Sequence, residues 1–163
     1  MKTCSRKQPV KTTRSKGQGL VELSLAFPIL IVLLLGVIEV GRLIYIYSAV
    51  TTASREATRY GFSLGDNGWG IPRYQDCDGI LEAAKAPTSI AGIEAANIEI
   101  SYDSGPGTEI LSLCPLSSVV SGYRIVIRVT STYQPITPLV QLPEIQISST
   151  SKRTILVGQE VYE

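Results

Sequence analysis

Glu22 is the first side chain in this sequence whose position calls for chemistry. It stands near the start of an apolar run, Lys16 to Tyr47, that carries no charged residue between Leu23 and Ile38. A carboxylate in the opening turns of a membrane helix gains modestly from the helix dipole, whereas burial without a partner is costly. One reading has Glu22 snorkelling to the cytoplasmic headgroups. The other rests on spacing: Glu22 lies five residues after Gly17, and Lys16 stands directly before that glycine. Cleavage after Gly17 would free an amine on Gln18. That cation would neutralise Glu22 of its own chain or of a neighbour.

Other reactive residues point to little. The chain has no histidine, which removes the commonest acid–base group and every Ser-His or Cys-His nucleophile. Three cysteines, Cys4, Cys77 and Cys114, form no C-x-x-C, so no zinc site is expected. The loop GFSLGDNGWGIPRYQD, residues 61–76, is followed by no G-K-[ST], and Arg73 stands where a dinucleotide fingerprint needs its third glycine. Asp76, Asp78 and Glu82 lack the spacing of a calcium loop and read as a solvated turn. No catalytic residue, metal or cofactor is expected, and the reading is of a protein that is not an enzyme.

The elements that position Glu22 follow from hydropathy and charge. Residues 23–38 make about 24 Å of helix, which the flanks extend toward the ~30 Å hydrocarbon layer. Six of the fifteen basic residues precede Gly17 with no acid among them, leaving nine basic against fourteen acidic beyond. Positive-inside bias puts the N-terminus in the cytoplasm and residues after about Arg42 outside. The basic start reads as a topology signal rather than a nucleic-acid arm. A secretory signal cut near Ala49 or Ala53 is the competitor, but the apolar run outlasts the usual signal core. Pro28 predicts a kink or local melting. Glu39 and Arg42, i and i+3, are expected to pair.

The stretch K-G-Q-G-L-V-E-L resembles the prepilin peptidase site of the type IV pilin superfamily, where cleavage follows Gly and Glu stands fifth in the mature chain. The longer run GQGLVELSLAFPILIVLLLGVIEVGRLIYIYSAVTTASREATRYG is similar, nearly throughout, to the TadE-like pseudopilins of tight-adherence (Flp) pilus systems. The likeness lies in the QG-x-VE start, Pro28, the G-x-x-E-x-G-R exit and the A-x-R-E-A-x-R-Y-G helix end. Residues 62–163 match loosely, through a strand ending at Tyr133 and the ITPL beyond it. Gln18, where type II secretion pseudopilins usually have Phe, favours the tight-adherence branch. The resemblance implies cleavage between Gly17 and Gln18, with Lys16 and Glu22 in recognition and assembly. The implied partners are a prepilin peptidase, other pilins, the pilus assembly platform and membrane lipid, without nucleic acid.

Beyond the membrane the helix continues. Leu43, Ile46, Val50, Ala53, Ala57 and Tyr60 recur at spacings of three and four, giving one apolar stripe that ends at Gly61. From Gln18 to Tyr60 such a helix is roughly 65 Å long. A short helix is expected over Ile80 to Ala86, before Pro87. Three period-two runs follow, through Ile98–Tyr102, Ile125–Tyr133 and from Ile145 on, with a Pro-rich connection before the third.

The expected fold is α+β and pilin-like, a long N-terminal helix packed on a small antiparallel sheet. The expected division is a basic cleaved leader over 1–17, a helix over 18–61 that spans the membrane at about 20–42, and an extracytoplasmic domain over 62–163. Cys77 and Cys114 both fall on the outer side, where a disulfide is favoured over two buried thiols. The functional expectation is a pseudopilin of the cytoplasmic (inner) membrane. The alternative is a signal-anchored extracytoplasmic binding domain with no pilus role.

Overall fold

A computed structural model of the protein describes residues 16–86, 97–116, 122–136 and 143–156. The elements are α1 (Lys16–Phe62), α2 (Cys77–Lys85), β1 (Ile98–Asp103), β2 (Ile110–Leu113), β3 (Arg124–Tyr133) and β4 (Ile145–Thr154). Contacts divide the chain into two units, residues 1–38 and 39–163. The leader before Lys16, most of the Pro-rich connection and Pro87 lie outside the described residues.

Within the first unit α1 is unbroken and its large side chains from Leu20 through Ile38 are exposed, except the half-buried Leu35. Pro28 sits inside the helix, and the expected melting does not occur. A single missing amide bond is tolerated where the turns on either side hold.

The second unit is a layer of helix on a layer of sheet. The sheet is antiparallel throughout, in the order β2-β1-β3-β4. The stripe on α1 meets it through Ile46, Val50, Ala53 and Ala57, buried with Ile100 and Tyr102 of β1, Ile125, Ile127 and Val129 of β3, and Ile147 of β4. Each large aliphatic side chain removed from water contributes about 1.5–3 kcal/mol. Small residues set how near the layers come. The α1 helix includes Gly61, where a Cβ would stand 2.5 Å from Ile125 Cδ1. Its φ is not positive, so Gly61 makes room for the sheet and is not a left-handed helix cap.

Asp76, just before α2, caps the helix: its carboxylate accepts from the Gly79 amide at 3.1 Å. Ile80 and Ala84 join the core beside α1. The preceding loop turns through Gly68 and Gly70, both at positive φ. Trp69 at its tip is 88% exposed, so it does not seal the core.

Candidate functional site

Gly17 and Gln18 lie in the first turn of α1, with Glu22 on the turn that follows, and all three are exposed. Lys16 is the first residue of that helix. Among the described residues Glu22 has no hydrogen bond or ion pair. The nearest polar contact along the chain is internal: Ser24 donates its hydroxyl to the Val21 carbonyl at 2.8 Å. Beyond it the surface is apolar for about four turns, from Leu25 to Ile38. An 18-residue window of α1 has mean hydropathy 2.6 with none of it buried. This is the one helix among the described residues long and apolar enough to cross a membrane.

Glu39 and Arg42 open the second unit, and they do not pair with each other as their spacing suggests. Glu39 Oε1 accepts from the Ile136 amide at 2.8 Å, and its carbonyl accepts from the Tyr133 hydroxyl at 3.4 Å. Arg42 donates to the Gln134 carbonyl at 2.6 Å and lies over the Tyr133 ring, 5.4 Å from its centre. An exposed i,i+3 pair contributes only a few tenths of a kcal/mol. The backbone leaving β3 offers an amide and a carbonyl that need partners, and it takes both side chains.

Cys77 at the start of α2 and Cys114 just beyond β2 are joined by a disulfide, with Cα atoms 6.0 Å apart. Tyr102, fully buried in β1, donates its hydroxyl to the Tyr74 carbonyl and lies 3.3 Å from Cys114 Sγ. Burial pushes its pKa up to about 12.

Two further polar sites were not foreseen from sequence. Asp76, besides capping α2, accepts from the Tyr60 hydroxyl at 2.6 Å. That bond holds its carboxyl below the ordinary range, against the opposing effect of burial. Asp103, 3% exposed, takes two bonds from Arg124 at 2.6 and 2.7 Å, with Lys152 Nζ 3.7 Å away. Both are structural arrangements on the second unit, residues 39–163, the head of the protein. A carboxylate shared by two cations and two hydrogen bonds is held ionised, not poised to move a proton.

The TadE-like protein family matches residues 17–59, beginning at the glycine before Gln18 and ending in the last turns of α1. The N-terminal helix is therefore similar to that of TadE-like proteins, and the matched stretch contains no strand of the sheet. No curated protein and no solved structure matches the chain.

Proposed function

We propose that this chain is a non-enzymatic pseudopilin acting in Flp-type (tight-adherence) pilus biogenesis. A prepilin peptidase cuts it between Gly17 and Gln18. The first half of α1 holds it in the cytoplasmic membrane, with the leader in the cytoplasm and the sheet outside. It assembles with other pilins and the assembly platform through that helix.

The observation that carries this reading is Glu22, a carboxylate without a partner among the described residues, at the start of an apolar helix that they leave uncovered. Such a group in the membrane needs a cation, and cleavage creates one nearby. The Gly17–Gln18 peptide lies in the first helical turn, whose amides have no intrahelical partners, so little structure must open for a peptidase to reach it. After cleavage the amine of Gln18 points along its own helix axis. Glu22 of an adjacent subunit offers it the better geometry.

The test is assembly. Glu22→Gln keeps the shape and removes the charge. It should insert and fold normally, yet fail to co-purify with partner pilins and fail to support piliation. A Glu22→Gln protein that assembles like wild type would reduce Glu22 to a snorkelling side chain.

A further inference from the structure

β4 is an edge strand. Its ten residues pair with β3 from Thr154 opposite Arg124 to Ile145 opposite Tyr133, and no described strand lies on its other side. Among the described residues, one row of its backbone N–H and C=O groups is thus open to a further strand. Its side chains alternate in the usual way. Ser149 Oγ meets Ser54 Oγ of α1 at 3.0 Å, which puts Ser149, Ser151 and Arg153 on the helix side.

Beside this edge, between α1 and β4, lies a cavity of about 600 Å³. On the helix side its lining carries three cations, Arg55, Arg59 and Arg153, against one carboxylate, Glu56, while Lys152 on the alternate face of β4 pairs with Asp103 at 3.7 Å. Glu56 is engaged with Arg59 at 2.6 Å, and Arg153 lies over the Phe62 ring. Arg55 is exposed and has no hydrogen bond or ion pair among the described residues. The groove is positive on a unit whose sequence is acidic overall, with nine basic residues against thirteen acidic from Glu39 on.

The two features fit one occupant. A strand added to β4 would turn every second side chain toward the helix side, where Arg55, Arg59 and Arg153 stand. We propose that the β4 edge and its cationic groove take an extended acidic segment of a partner protein as a fifth strand, with carboxylates at alternate positions. Backbone pairing would supply register and the arginines selectivity. The site lies wholly within residues 39–163, so it stands whether or not the chain is cleaved and assembled as above.

The full chain in detergent micelles, titrated at low salt with a fluorescent alternating Thr–Glu peptide, gives the test by anisotropy. The peptide should bind, and binding should weaken as salt screens the charges. An alternating Thr–Lys peptide should not bind. The Thr–Glu peptide N-methylated at alternate residues, on the edge facing β4, should lose at least about tenfold in affinity, because it cannot pair. Arg55→Ala with Arg59→Ala should lose about tenfold as well, with the tyrosine near-UV signal of the head unchanged. The proposal is overturned if the Thr–Glu peptide does not bind, since Lys152 and Arg153 would then only guard the edge against aggregation. It is overturned equally if the N-methylated peptide binds as well as its parent, or if the arginine variant binds like wild type.

Discussion

Arg124 grips Asp103 through two parallel hydrogen bonds, at 2.6 and 2.7 Å, across neighbouring strands of the sheet. The carboxylate is nearly fully buried, while Arg124 is partly covered and Lys152 half exposed. Removing Asp103 would leave two cations facing one another without their shared counter-charge. Asp103→Ala should destabilise the head by about 2–4 kcal/mol, read from denaturation of the full chain in micelles by tyrosine near-UV signal.

The same pair sets a pH dependence. The bonds from Arg124, the largest influence, hold the Asp103 carboxyl below its ordinary range, and the Tyr60 hydroxyl does so for Asp76. A folded pKa below the unfolded one gives stability that is present above the unfolded value, about 4, and lost as pH falls through the folded one. Wild-type stability should therefore be flat above about pH 5 and decline below about pH 4. Asp103→Asn should show a shallower acid decline than wild type. An unchanged slope would mean that the pair does not couple folding to protonation.

Tyr60→Phe isolates the second carboxylate. It removes the donor to Asp76 while leaving the Gly79 amide bond that caps α2. The expected loss is about 1 kcal/mol, with the acid slope reduced in proportion. The measurement is the shift of the denaturation midpoint against pH.

The disulfide closes a separation of 37 residues, a constraint on the unfolded chain of about 4 kcal/mol in the loop-entropy description. Cys77→Ala or Cys114→Ala should lower head stability by up to that amount. Non-reducing peptide mapping of protein taken from cells should recover Cys77 linked to Cys114. Freely alkylated thiols at both positions would contradict the bond.

What was legible in the sequence was what periodicity encodes. The stripe from Ile46 to Ala57, the alternation along β1 and β3, and the charge-free span before Ile38 each follow from a local pattern, and each lies where that pattern places it. β2 escaped because Ile110–Leu113 is four residues long and mostly exposed, so it has no buried face to impose a period. Asp103 and Arg124 are 21 residues apart and become partners only through the β1–β3 register. Glu39 and Arg42 misled for a related reason. Their helical spacing was visible, but the competing backbone at Gln134 and Ile136, more than ninety residues on, was not. The residues of the proposed processing site are legible because they form one linear motif. The cation that would answer Glu22 is not, since in this reading it belongs to another subunit.

Glu39 offers the control for Glu22. Glu39→Gln retains an acceptor for the Ile136 amide and should leave both folding and assembly near wild type. Glu39→Ala strands that amide and should loosen the chain after β3, seen as faster hydrogen exchange at Ile136, without abolishing co-purification with pilins. Loss of assembly in Glu39→Gln would remove the distinction between the two carboxylates.

The most direct measurement is the mass of the mature N-terminus in protein recovered from its own cells. A chain beginning at Gln18, and an uncleaved leader in a variant with a bulky residue at Gly17, is the result this account predicts. A mature start near Ala49 or beyond would contradict it, because the apolar helix and Glu22 would then have been discarded with a secretory signal.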